Sequence, residues 1–242
     1  LLLYFFLIRL PTPISTPFPS TTLFRSVRFA AKLDFTIAAD TAAPISELAY
    51  MLEAIPAARL FDEMLKLFMS GQAEATFKLL CEYGLIEHLF PATARELEES
   101  AHTRLLIEAA MRSTDRRIAE DKPVTPAFVL AALLWEPTLQ LRYDLEDEGA
   151  SPQVAMQDAG QSILNEQLHH SAIPRRLTGP MKAIWEVQPR LQNRRSKKAV
   201  SLLSHRRFRA AYDFLLLREE SGEDLEGLGQ FWTELQEKHP DI

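Results

Sequence analysis

Apolar residues return every three or four positions through most of the chain, and no run of alternating Val, Ile or Thr marks a strand. That pattern restricts the fold to helices packed on helices. The clearest stretch is 57–70, where Leu60, Phe61, Met64, Leu65, Leu67 and Phe68 fall on one side of a helix. Leu, Ala, Glu and Arg, all good helix formers, dominate, and only 8 glycines occur in 242 residues. With 47% hydrophobic and 25% charged residues, the chain has the make-up of a folded globular protein of one or two domains. The fold class read from this is all-α, a multi-helix array.

Punctuation places the helices. They are predicted over 27–37, 41–54, 57–70, 73–83, 102–118, 126–135, from 138, and over 152–170, 175–192, 197–204, 206–220 and 225–238. Gly71 and Gly84 stand where helices stop, and Pro91 closes a short apolar turn at Leu89-Phe90. A softer boundary is predicted near Gly149-Ala150-Ser151-Pro152, and no repeat period is visible.

Residues 1–26 read differently. Leu1 to Ile8 is apolar but far short of the ~20 residues that span a bilayer. It lacks a positive flank and a small-residue cleavage site, and a proline-rich stretch follows. Thr21-Thr22-Leu23-Phe24-Arg25-Ser26 resembles the conceptual translation of a sequencing adapter. The segment is therefore taken as a leader, either non-native or disordered, and left out of the fold.

The net charge of −6 argues against a nucleic-acid binder until the charge is located. Between Ile173 and Arg218 lie 12 basic residues and two acids, Glu186 and Asp213, so this stretch carries +10 and the rest of the chain −16. Such asymmetry points to a polyanionic partner. The one cysteine, Cys81, sits in an apolar helical run and reads as core; one cysteine excludes a disulfide framework and any multi-cysteine metal site. His169-His170 lacks further ligands at metal spacing and reads as a helix end, and Glu146-Asp147-Glu148 reads as a solvated one. Trp135, Trp185 and Trp232 lie in apolar contexts that favour packing over stacking on bases.

Three stretches, in order, carry a family resemblance. Val27-Arg28-Phe29-Ala30-Ala31-Lys32-Leu33-Asp34-Phe35 resembles the end of the neck motif of the tRNA nucleotidyltransferase/poly(A) polymerase superfamily. Ile55-Pro56-Ala57-Ala58-Arg59-Leu60-Phe61-Asp62-Glu63 resembles the next neck helix, and with Phe77 to Leu85 and Leu89-Phe90-Pro91 is most similar to the bacterial poly(A) polymerase branch. Ala172 to Leu177, Ile184-Trp185-Glu186 and His205 to Leu215 resemble the C-terminal region of that branch.

The resemblance implies three parts: the leader over 1–26, neck helices and an RNA- and nucleotide-binding region over 27–91, and a body with an arginine-rich RNA-binding region over 92–242. It implies an enzyme that adds AMP from ATP to RNA 3′ ends, with Mg²⁺ held by an Asp-x-Asp pair. No such pair or Gly-Ser loop occurs in this chain, so catalytic residues are expected to be none, the metal site none, and the chain alone inactive, with ATP and Mg²⁺ belonging to an intact enzyme. Arg28, Arg59 and Glu63 are implied as support for the nucleotide site, with Arg59 and Glu63 spaced to pair on one helix face.

For RNA, the candidates are Arg175, Arg176, Arg194, Arg195, Lys197, Lys198, Arg206, Arg207 and Arg209. Arg206 and Arg209 are predicted on one helix, with Phe208, Tyr212 and Leu215 turned to the core. Guanidinium groups so mounted grip phosphates without reading sequence. The expected partners are RNA and RNA-decay proteins, with no membrane and no DNA, in the bacterial cytoplasm. Two alternatives stay open: a tRNA CCA-adding enzyme, and a helical protein-interaction module whose basic face meets an acidic partner.

Overall fold

The computed structural model describes residues 21–240, and among them the regular structure is entirely helical. In chain order the helices are α1 (Thr21–Leu33), α2 (Ala39–Glu47), a 3₁₀ turn (Ala49–Ala54), α3 (Ala57–Phe68), α4 (Ala73–Glu82), α5 (Leu85–Leu89), α6 (Pro91–Glu99) and α7 (Ala101–Ala119). There follow α8 (Pro126–Leu133), α9 (Trp135–Asp147), α10 (Pro152–Gln167), α11 (Arg175–Leu191), α12 (Ser196–Leu203), α13 (Phe208–Glu220) and α14 (Leu228–Lys238).

Most predicted ends hold because the local chemistry is strong. Pro126 and Pro152 sit at the first helical position after Thr125 and Ser151, whose hydroxyls accept from the backbone N–H groups of Ala127 and Val154. Gly84, at φ 70°, takes the left-handed turn between α4 and α5 that a side chain would strain. Three readings change. Leu48 leaves helical geometry, so the single helix over 41–54 becomes α2 and the 3₁₀ turn. Pro91 opens α6 instead of closing a turn, since a proline fits the first helical position as well as it ends a helix. The helix over 206–220 begins at Phe208, leaving Arg206 and Arg207 on the turn before it.

The leader over 1–26 lies largely outside the described residues. Its last six residues, however, belong to α1, where Phe24 is 1% exposed and packs with Val27 in the core. That contradicts their exclusion from the fold: an apolar ring four-fifths of a turn before Val27 seals the same face.

Two apolar clusters organise the chain. The larger runs from α1 through α11, with Phe61, Phe77, Phe90 and Trp135 among its buried side chains, and ends in Phe214 and Leu217 of α13. It draws on both sides of Pro91 and of the Gly149 turn, where the softer boundary was predicted. The smaller cluster joins the end of α11 to α12, α13 and α14 through Val187, Leu191, Leu202, Phe208, Leu215 and Trp232. Thus α11 and α13 belong to both, and between them they set the frame on which the basic segment is mounted.

Candidate nucleic-acid interface

The outward side of the smaller cluster carries most of the basic residues. Phe208, Tyr212 and Leu215 are buried as their spacing predicts, which turns the other face of α13 to solvent. Arg195 is the residue at the cap of α12, and Lys197 and Lys198 lie in its first turn; all three are exposed. Arg175 and Arg176 open α11 and are exposed, Arg206 is exposed and Arg207 half-buried on the turn into α13. Arg209 is exposed in the first turn of α13; it pairs with Asp213 at 3.0 Å and covers the Tyr212 ring at 5.6 Å.

Of the 12 cations between Ile173 and Arg218, only Arg209 and Arg218 are ion-paired among the described residues. The basic segment is therefore not neutralised by the acidic remainder of the chain.

Where these cations sit is informative. A helix start is the positive end of its dipole and stabilises carboxylates, not guanidinium groups. Yet α11, α12 and α13 have no acidic residue in the first turn, and in none does the side chain of the cap residue accept from the first-turn N–H groups. Each instead opens among Arg and Lys. At each start, cations stand beside the first-turn N–H groups that a helix leaves without an intrahelical partner.

Two members of the segment are structural. Arg194 donates to the backbone carbonyl of Glu226 and covers the Phe231 ring at 5.9 Å, which ties the entry of α12 to α14. Arg218, not among the candidates but counted in the segment, is 4% exposed. It donates to both carboxylate oxygens of Glu223 and to Gln188 Oε1 at 2.8 Å, and lies over Trp135 at 4.9 Å. Arg218 follows Leu215-Leu216-Leu217 in the sequence, the apolar context its burial reflects.

His205 adds a titratable group beside the cations. Burial and the nearby Arg190 hold its pKa below the ordinary 6.5, with Glu186 pulling the other way. Its Nδ1 accepts from the Arg207 backbone N–H at 3.2 Å.

The neck residues stand apart. Arg28 is half-buried and covers the neighbouring Phe29 ring at 5.7 Å, with no carboxylate partner among the described residues. Arg59 is exposed, and the predicted Arg59–Glu63 pair is not made: Glu63 pairs with Lys66 at 2.8 Å. In the Glu63–Lys66 pair the acid stands N-terminal to the cation, the favoured order on a helix, whereas Arg59 precedes Glu63.

All three tryptophans are fully buried. The indole N–H groups of Trp185 and Trp232 donate to the carbonyls of Ala131 and Leu191, so none of the three is available to stack on a base. Cys81 packs against the larger core, and burial pushes its thiol pKa up. Among the described residues there is no grouping of His, Cys, Asp and Glu that could hold a metal ion, and no helix is long and apolar enough to cross a membrane.

Two family models match the chain. Residues 34–97 match the probable RNA and SrmB-binding site of polymerase A, and residues 148–241 match the arginine-rich C-terminus of polymerase A. The second match begins beside the Gly149 turn and takes in every one of the nine cations proposed from the sequence. The chain thus belongs to the poly(A) polymerase family, two of whose regions match it. It is 42% identical to poly(A) polymerase I of Escherichia coli O157:H7 over 223 residues, 90% of this chain. It is 40% identical to that of Salmonella typhi over 223 residues and to that of Haemophilus influenzae over 220 residues. The chain spans about half the length of these relatives, 48% in each case.

Proposed function

We propose that this chain holds RNA for a polyadenylating enzyme: it grips the ribose-phosphate backbone while AMP from ATP is added to the RNA 3′ end elsewhere. The observation that carries this reading is the set of cations at the acid-free starts of α11, α12 and α13, all but Arg209 without a carboxylate partner among the described residues. Contacts of this kind fix position without reading bases, which suits an enzyme whose substrate lengthens and slides with each addition. ATP and Mg²⁺ belong, on this reading, to residues other than those described, and the chain alone transfers no adenylate. Incubation with ATP, Mg²⁺ and an RNA primer is expected to leave the primer unextended. A cytoplasmic setting fits the family.

The test of RNA binding is a titration against salt. Arg195, Lys197 and Lys198 are changed to Ala together, with Arg194 kept because it anchors α12 to α14. Each phosphate contact on a single strand adds about 0.7 to the slope of log affinity against log salt. The triple variant is expected to bind more weakly and to lower that slope by up to about 2. Salt-independent affinity, or an unchanged slope, would contradict the proposal.

A protein partner is a second reading, supported by a different surface. Phe29, Leu33, Phe35 and Tyr50 are large, apolar and 41–61% exposed around α1 and the 3₁₀ turn, at the edge of the segment whose family description names SrmB. A pull-down of RNA-decay proteins that survives nuclease treatment and is lost in Tyr50→Ser is the outcome expected of direct docking.

A further inference from the structure

A cleft of about 410 Å³ opens between α10 and α11, away from the cations at α12 and α13. Its shape follows from how the two helices meet. A Cβ at Gly160 would stand 3.1 Å from the Trp185 ring, so the helices are in close contact there. Towards the linker that joins them they are held apart. Gln167 donates to the Leu89 carbonyl at 2.7 Å, and the Ala172 N–H to the Ala57 carbonyl at 3.2 Å, which fastens the linker to other helices.

The lining is of two kinds. Leu164, Leu168 and Ile173 make an apolar wall, of which Leu168 remains 48% exposed. Arg175 and Lys182, one turn apart twice over on α11, bring two cations to the cleft, and no carboxylate lines it. At its edges the Thr178 hydroxyl donates to the Arg175 carbonyl and keeps its lone pairs, and Asn165 accepts from Gln161 through Oδ1 and keeps its amide hydrogens.

An inorganic anion would find cations here but leave the apolar wall exposed. A purely apolar ligand would leave Arg175 unanswered, and Lys182 with only the Gln161 side-chain oxygen, to which it donates at 3.1 Å. A nucleotide answers both, with a flat base for the wall, edge groups for the amide and hydroxyl, and a phosphate for Arg175 and Lys182. The volume is that of a small-ligand pocket. From Arg175 to Leu191, α11 runs roughly 25 Å towards the start of α12, so one strand can reach both.

We propose that this cleft receives the base of one unpaired nucleotide of the bound RNA, a contact that adds burial of the base against Leu164, Leu168 and Ile173 to the backbone grip. The proposal rests on the RNA reading above.

Gly179 offers the test. It lines the cleft in ordinary helical geometry, and a Cβ there meets nothing within 4 Å, so Gly179→Leu fills the space without removing a charge or straining the backbone. With the full chain, Gly179→Leu is expected to bind oligoadenylate about tenfold more weakly, with an unchanged salt slope. On an abasic ribose-phosphate strand of the same length, the variant and the parent are expected to bind alike. Leu168→Ser, at a half-exposed position, is expected to repeat the result. Equal affinity of parent and both variants for oligoadenylate would sink the cleft assignment while leaving salt-sensitive RNA binding intact. Failure of the parent chain to bind RNA in a salt-dependent way would overturn both. Displacement of oligoadenylate by free AMP, lost in Gly179→Leu, would overturn the strand assignment in favour of a mononucleotide site.

Discussion

The basic residues between Ile173 and Arg218 divide by what surrounds them. Arg195, Lys197 and Lys198 stand in solvent, while Arg218 is enclosed by Glu223, Gln188 and Trp135. Arg218, between Leu217 and Glu219, lies outside the basic runs and is not among the candidates, whereas Arg194 sits beside Arg195 in such a run and only the structure shows that it ties α12 to α14. The tryptophans were legible because their apolar neighbours recur at helical spacing. Two residue-scale predictions follow from close contacts. The Gly229 N–H donates to Glu219 at 2.8 Å, and a Cβ on Gly229 would fall 2.9 Å from Leu216 and nearer still to the Glu219 carboxylate. Gly229→Ala therefore has to push Glu219 off the start of α14; with the lost hydrogen bond partly offset by the better helix propensity of Ala, a loss of at most about 1 kcal/mol is expected in urea unfolding. His205 has a folded-state pKa below its ordinary 6.5, so as pH falls through that value the unfolded chain takes the proton first. Stability is expected to be flat above that pH and to decline below it, down to the folded pKa. His205→Gln should remove that part of the decline, read as the difference between two urea-midpoint profiles over pH 5–8.

At the scale of elements, helices were legible wherever an amphipathic period met a proline or glycine stop, as in α3, α7, α10 and α14. Pro91 was misread because a proline both ends helices and begins them, and only the packing of α6 on α5 and α7 decides which. The cleft could not be read at all. Its two walls, Gln161 to Leu168 and Arg175 to Lys182, are individually ordinary helix faces, and it is the contact of Gly160 with Trp185 that sets the gap between them. The starts of α11 to α13 could have been read, since Arg and Lys occupy first turns that favour Asp and Glu. That misplacement separates function from stability. Lys197→Glu puts an acid where the α12 dipole favours one, and is expected to stabilise slightly, by about 0.3–1 kcal/mol at low salt. The same change is expected to weaken RNA binding. A thermal melt and a filter-binding curve on one sample decide it: a coupled loss of both would mean that the lysine serves the fold.

At the scale of the whole molecule, two apolar clusters share α11 and α13, and the chain must keep them in register for the cations to line up. The seam is built from polar groups. Gln188 is 1% exposed, donates to the carbonyls of Ile184 and Ala211, and accepts from Arg218. Arg218 in turn holds Glu223, whose other neighbour is His102 of α7, and covers Trp135 of α9. One guanidinium thus joins the larger cluster, the α13–α14 turn and the buried amide. Removing it alone leaves Glu223 and Gln188 without their main partner in a poorly hydrated place, so Arg218→Ala is expected to cost about 3–5 kcal/mol. The double change Arg218→Met with Glu223→Leu removes both charges at once and is expected to recover most of that loss, because a well-packed apolar pair can match a buried ion pair. If the seam only supplies stability, the double variant binds RNA as the parent does. If it also fixes the register of the two clusters, the recovered stability comes with weaker RNA binding, since the cations of α11 and those of α12 would no longer lie along one strand. The charged seam is costly to bury and could have been apolar, which favours the second result; urea unfolding and salt titration of the parent and these two variants distinguish the two.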